Sequence, residues 1–231
     1  MKRTGWIILF LLILVADLLA IYFNNETLRR VSKPLLMPLL MIYFLEQTKV
    51  FISGLKTWII LALFFSWMGD ILLMFEERKA IFFLLGLSAF FIAQVFYIIF
   101  FHNIRVKESI RGNVLLLLLV VVYYAILISL LSPQLNLPPF RNMKLPVRIY
   151  GVVISFMLML AMHMMLGKNK KAGWWMMLGA ILFVASDSLL AFNKFYSPFN
   201  FAAIIVMLTY GLAQLLITEG AVQYIQSKKA I

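Results

Sequence analysis

Two aspartates stand where a carboxylate is costly. Asp70 lies in the stretch SWMGDILLMF, residues 66–75, and Asp187 lies in VASDSLLAFN, residues 184–193. Each acid is flanked by apolar residues. An ionisable group inside such a run costs about 3 kcal/mol or more and usually marks function. The ordinary alternatives are a structural hydrogen bond to a neighbouring helix and snorkelling to the headgroups. Two acids in matching settings favour function. Desolvation and a nearby like charge both disfavour the ionised form of a carboxyl. Two carboxyls that meet can therefore share one proton near neutral pH, giving an acid and a base side by side. That arrangement suits acid-catalysed hydrolysis with no metal and no covalent nucleophile. It suits proton-coupled transport equally well, and the residues alone leave both open.

Other chemistries fit less well. The chain has no cysteine, which removes disulfides, thiolate nucleophiles and Cys-ligated metals. A zinc site would want clustered histidines. The two histidines are His102, in an expected loop, and His163, on the sixth expected helix near the opposite face. No G-x-S-x-G occurs, and no histidine is placed for a triad. Trp67-Met68-Gly69 precedes Asp70, so the first glycine of the G-x-G-D motif of intramembrane aspartyl proteases is missing. No P-loop or dinucleotide fingerprint is present. No metal and no cofactor is expected.

The elements that must position these acids are membrane helices. The chain has 231 residues, of which 64% are hydrophobic and 13% charged, and its mean hydropathy is +0.99. A soluble domain of this size cannot hide that much apolar surface. Its apolar runs suit helical spans and are too long for barrel strands. The expected fold is all-α: a single polytopic membrane domain over 1–231 with eight transmembrane helices, near 6–23, 33–46, 54–75, 80–101, 113–132, 146–166, 173–193 and 199–226. The second is short and contains Pro34 and Pro38, so a tilted or partly irregular helix is expected. The first follows Met1, Lys2 and Arg3 as a signal peptide would, but no small-residue cleavage site follows Phe23. It reads as a retained helix. The stretch 132–146 carries four prolines and reads as an ordered surface cap or a flexible linker.

The net charge of +12 is scattered among short loops. The expected partners are anionic lipid headgroups, not nucleic acid. An even number of spans puts both termini on one face. That face carries 12 Lys and Arg against 9 on the other, which places the termini in the cytoplasm, with the inner membrane of a bacterial cell as the expected location.

The three aspartates, Asp17, Asp70 and Asp187, fall on helices 1, 3 and 7, each five or six residues before its helix ends. At about 1.5 Å per residue they share a depth, under the face opposite the termini, as one polar site would require. Glu219 in helix 8 is a fourth acid, while Glu26 and Glu46 are expected at the interfaces.

The halves 1–112 and 113–231 match as a parallel 4+4 repeat: GDILLMF beside SDSLLAF, and Ala93-Gln94 beside Ala213-Gln214. A repeat axis along the membrane normal would bring the two aspartates face to face. Ser66, Gly69, Ala185 and Ser186 precede the acids, and small residues allow close helix approach. Tyr210 and Gln214 share a face of helix 8 and can donate to a carboxylate or a headgroup.

GDILLM, GLSAFFIAQVFYI, GAILFVASDSLLAFN and TYGLAQLLI, with SKPLLMPLL and VRIYGVVISFMLMLAM, follow in order along most of the chain. Together they resemble the YhhN family of membrane proteins, the lysoplasmalogenase-like family. The resemblance implies hydrolysis of the vinyl-ether bond of a lysoplasmalogen, a membrane lysophospholipid, to a fatty aldehyde and a glycerophospho-base. It implies Asp70 and Asp187 as catalytic residues, with Lys33, Tyr97, Tyr210 and Gln214 matching the family pattern as substrate-binding positions. Gln94 stands where that pattern usually has a histidine, and glutamine cannot shuttle a proton. Such a reaction needs a proton on the β-carbon of the alkene, then water on the oxocarbenium ion, then collapse of the hemiacetal. Asp187 is the expected acid and Asp70 the expected base, with the reverse assignment left open. An apolar cleft would take the alkyl chain, and Lys33 the phosphate. A proton- or lipid-coupled transporter and a non-catalytic lipid-binding relative are the alternatives.

Overall fold

The computed structural model describes residues 2–76, 78–138 and 140–227. The described residues form eight long helices: α1 (Arg3–Tyr22), α2 (Glu26–Thr48), α3 (Leu55–Leu73), α4 (Ala80–Lys107), α5 (Val114–Leu135), α6 (Lys144–His163), α7 (Lys170–Ala191) and α8 (Ala202–Ser227). All but α2 are long and apolar enough to cross a membrane. α2 has the length, 23 residues, but carries Glu26, Arg29, Arg30 and Lys33 in its first half. The chain is an integral, polytopic helical membrane protein. Lys228 and Lys229, part of the charge balance above, lie outside the described residues.

The second helix is neither short nor irregular. It begins at Glu26, not Lys33. Asn24 turns the chain with a positive φ of 51°, and the Asn25 side chain accepts the Leu28 N–H at 3.0 Å as an N-cap. Asparagine suits both tasks. Pro38 cannot donate to the Pro34 carbonyl one turn back. The Trp67 indole N–H of α3 donates to that carbonyl instead, at 2.9 Å. A neighbouring helix supplies the hydrogen bond that proline withholds, and α2 stays continuous.

One further expectation changes. His102 is not in a loop, because α4 runs on to Lys107 with Phe100, Phe101 and Ile104 buried along it. Of the two readings of the proline-rich stretch, the described residues fit the ordered one: α5 continues to Leu135, a 3₁₀ turn lies at Arg141–Met143, and α6 starts directly after it. Pro146 falls in the first turn of α6, where its missing N–H has no partner to lose.

α3 with α4, and α7 with α8, form the two most extensive helix pairs. Glycine makes the second pair close. A Cβ on Gly179 of α7 would stand 2.8 Å from the Ala213 carbonyl of α8, and one on Gly220 of α8 would stand 2.9 Å from the Ala172 carbonyl of α7. α2 packs on α3 and α8, while α6 packs on α7 and α4. α5 leaves most of its surface outside, with Leu117, Val121 and Ile126 exposed, as a lipid-facing helix should. α7 ends in a π-helical turn, Phe192–Tyr196.

Candidate active site

Six helices, α2, α3, α4, α6, α7 and α8, enclose a cavity of about 210 Å³. Asp70 and Asp187 both line it, with Lys33, Tyr150 and Tyr210. Leu87, Phe90, Val147, Leu190 and Met207 make much of the remaining wall apolar.

Asp70 is set by the packing of α3. A Cβ on Gly69 would fall 2.6 Å from the Phe90 ring, so glycine lets that ring lie against the helix beside the acid. Phe90 and Phe183 both meet the Tyr210 ring edge-on, with centroids 5.7 Å and 5.6 Å away. Held this way, the Tyr210 hydroxyl donates to Asp70 Oδ2 at 2.8 Å. The Lys33 ammonium stands 3.8 Å from Asp70 Oδ1. Both side chains of that ion pair are almost wholly buried. A buried carboxylate needs such a counter-charge.

Asp187 is built differently. The Tyr150 hydroxyl of α6 donates to its Oδ2. Among the described residues, no lysine or arginine forms an ion pair with it. The neighbouring Ser188 bonds the Tyr123 hydroxyl at 2.6 Å and also donates back to the Val184 carbonyl. Ser186, one residue before the acid, donates to the Val206 carbonyl of α8 at 2.9 Å. With the Tyr150 bond, these tie α7 to α5, α6 and α8 around the acid.

The other residues singled out from the sequence divide. Lys33 and Tyr210 line the cavity with the aspartates. Tyr97, Gln214 and Gln94 do not; all three are fully buried behind its wall. The Tyr97 hydroxyl donates to Gln214 Oε1 at 2.5 Å, and Gln214 Nε2 donates to Ser66 Oγ at 3.0 Å. This chain ties α4, α8 and α3 together one turn from Asp70. Gln94 faces the Tyr150 hydroxyl. Asp17 is also buried behind the wall, accepting from Ser32 Oγ at 2.7 Å, near Lys33. Glu219 belongs elsewhere. It binds Arg3, Tyr43 and Gln223, nine residues along α8 from Tyr210, or about 14 Å. It clasps α1, α2 and α8 at the end nearer the N-terminus.

Sequence reasoning missed Tyr150 as the partner of Asp187. One signal was present: Tyr150-Gly151 and Tyr210-Gly211 are the same dipeptide on two helices. In each case the glycine admits a neighbour, Tyr124 or Leu14, where a Cβ would meet it at 3.0 Å or 2.6 Å. The tyrosine beside it bonds an aspartate. Arg29 and Glu76, which also line the cavity, were missed because each looks like an ordinary end-of-helix charge.

A helical membrane protein with two tyrosine-bonded carboxyls in one intramembrane cavity is the class these observations define. The chain belongs to the YhhN family, whose model matches residues 28–221. It is similar to lysoplasmalogenase TMEM86B of Rattus norvegicus, 32% identical over 172 residues, covering 74% of this chain and 64% of the relative. It is similar to lysoplasmalogenase TMEM86B of Homo sapiens, 40% identical over 82 residues, 36% of this chain and 33% of the relative. A lysoplasmalogenase of Mycobacterium tuberculosis is 30% identical over 166 residues, 71% of this chain and 60% of the relative. The chain thus spans less than two thirds of the length of these curated relatives. No solved structure matches it.

Proposed function

We propose that this protein is an intramembrane hydrolase that cleaves the vinyl-ether bond of a lysoplasmalogen by paired-carboxyl acid/base catalysis. The observation that carries this reading is the unequal pair: Asp70 and Asp187 line one cavity, each with a tyrosine hydroxyl, and Asp70 alone has a lysine. The names of the relatives above supply the substrate class.

The inequality supports one assignment of the roles. Asp70, beside the Lys33 ammonium, is the carboxylate. Asp187, with a phenol partner and no ion pair, carries the proton. Asp187 gives that proton to the β-carbon of the alkene, and the positive charge moves onto the α-carbon and ether oxygen. Asp70 stabilises this oxocarbenium ion and accepts a proton from the water that attacks the α-carbon. The hemiacetal then breaks its carbon–oxygen bond: Asp70 returns its proton to the leaving glycerol oxygen and Asp187 takes the proton of the hemiacetal hydroxyl, which releases a fatty aldehyde and the glycerophospho-base and restores both acids. One water is consumed, and the protons given and taken balance. Tyr210 and Tyr150 orient the two acids, while the apolar wall accepts the hydrocarbon beside the double bond. Gln94, where a histidine is usual in the family pattern, leaves proton traffic to the two aspartates.

The test is aldehyde release by purified protein in detergent, with lysoplasmenyl-ethanolamine as substrate and its saturated 1-O-alkyl counterpart as control. Release from the first alone, lost in Asp70→Asn and Asp187→Asn, is the expected result. No release by folded wild type between pH 5 and 8 would overturn the reading. We also propose that 1–112 and 113–231 are half-repeats, supported by the matching neighbours of α2 and α6, and that the termini are cytoplasmic in a bacterial inner membrane.

A further inference from the structure

Two charged side chains of the cavity are not used by the proposed chemistry. Arg29 lies one turn before Lys33 on α2, and Glu76 lies six residues beyond Asp70, just past the end of α3. Both line the cavity with the aspartates. Counting along the helices, they are displaced from the reacting end in one direction: about 6 Å for Arg29 and about 9 Å for Glu76 at helical rise. Both stand at element ends, Arg29 in the first turn of α2 and Glu76 past the last turn of α3.

Their states differ. The Nε of Arg29 is buried and has no hydrogen-bond partner among the described residues. A buried guanidinium N–H without an acceptor is a cost that an anionic ligand would remove. Lys33, which the sequence reading assigned to phosphate, is held by Asp70 and is not free for that task. Glu76 is occupied by a cation of the chain itself: Lys194 on the π-helical turn donates to its Oε2 at 3.0 Å. The same ammonium sits 4.8 Å above the Phe83 ring. Phe83 also lines the cavity. A carboxylate and an aromatic face together are a site for an ammonium group.

We infer that the end of the cavity away from the aspartates is a subsite for a zwitterionic phospho-base, in which Arg29 takes the phosphate and Glu76 takes the ammonium in place of Lys194. This rests on the function proposed above and names the part of the lipid it did not assign. The glycerol carbons would bridge from the vinyl ether at the aspartates to the phosphate at Arg29. The amine, further along the headgroup, would reach Glu76. Lys194 keeps Glu76 paired when no lipid is bound, so this half-buried acid keeps a cation in either state.

The test uses binding, so that it does not depend on catalysis. Saturated 1-O-alkyl-glycero-3-phosphoethanolamine cannot undergo vinyl-ether hydrolysis but carries the whole headgroup. Its affinity for purified full-length protein would be measured beside 1-O-alkyl-glycero-3-phosphate and 1-O-alkylglycerol. Glycerophosphoethanolamine, without a chain, tests whether a soluble phospho-base alone suffices. Arg29→Gln should weaken both phosphate-bearing lipids roughly tenfold or more and leave alkylglycerol unchanged. Glu76→Gln should weaken only the ethanolamine lipid, and Lys194→Met should not weaken it. Thermal unfolding of each variant, with Arg29→Lys as the charge-retaining control, separates binding from folding. Equal loss for all three lipids, or no loss for any, overturns the subsite. Tight binding of glycerophosphoethanolamine alone would overturn its assignment to a lipid. If aldehyde release fails while this pattern holds, the hydrolase reading falls and the headgroup site stands. If release succeeds and the pattern is absent, the reverse is true.

Discussion

The Lys33 ammonium and the Asp70 carboxylate face each other at 3.8 Å with almost no exposure to the outside. Asp187, across the same cavity, has a tyrosine where Asp70 has a tyrosine and a lysine. The two acids, on α3 and α7, line one cavity, and Asp70 forms an ion pair with Lys33 where Asp187 forms none among the described residues. Under the proposed mechanism, that difference lets two similar aspartates hold dissimilar roles.

Removing one member of a buried ion pair is far more damaging than removing both. Lys33→Met should therefore lower stability by about 3 kcal/mol. Adding Asp70→Asn to it should recover much of that loss. Thermal unfolding of the two single variants and the double variant checks the expectation as a cycle. Aldehyde release should be lost in all three, so stability and activity part company in the double variant.

The tyrosine hydroxyls should be worth more to activity than to folding. Tyr210→Phe and Tyr150→Phe each remove one hydrogen bond to an acid. Each should cost about 1–2 kcal/mol of stability and lower kcat roughly tenfold or more by freeing the carboxyl to turn. Tyr123→Phe, which loses only a bond to Ser188, should retain most of the rate. Steady-state kinetics on folded variants would decide it.

An acid and a base working together give a rate that rises as the base ionises and falls as the acid loses its proton. Wild type should show a bell-shaped profile of kcat/KM against pH. A profile that is flat from pH 5 to 8 would contradict paired-carboxyl catalysis even if aldehyde is released.

Helix α2 offers a test of stability beside the site. Trp67→Phe orphans the Pro34 carbonyl, because residue 38 is proline and has no N–H to offer. It should cost about 1–2 kcal/mol. Pro38→Ala restores a donor within the helix, so Trp67→Phe combined with Pro38→Ala should be less destabilised than Trp67→Phe alone. Equal unfolding midpoints for those two would show that the indole bond carries no weight.

Much of this architecture was legible before any coordinates. Eight helices followed from apolar run length, and the aspartates declared themselves because charge inside a span is rare. The start of α2 was not legible. Its first turns carry Glu26, Arg29 and Arg30, and hydropathy reads such residues as loop even when an asparagine cap begins a helix there. His102 was misplaced for the same reason, since polar residues follow it while the helix continues. Tyr97, Gln94 and Gln214 were recognisable as polar residues on the right helices. Whether each reaches the cavity or stands behind it depends on helix rotation, which a short polar motif does not determine. Arg29 and Glu76 could be found only in three dimensions. Each is an unremarkable surface-type charge until the fold turns it toward the cavity that holds the aspartates.

The cavity joins a wall of hydrocarbon to a charged end, and this bears on how turnover finishes. Cleavage at the aspartates would divide an amphiphile into two fragments with opposite solubilities. The aldehyde partitions into the bilayer, while the phospho-base partitions into water. Neither fragment keeps the combination of contacts that held the parent, so each leaves toward its own phase. Recapture of one does not help recapture of the other. In such a chamber the membrane–water boundary would separate the two fragments, with no conformational pump needed to clear the site.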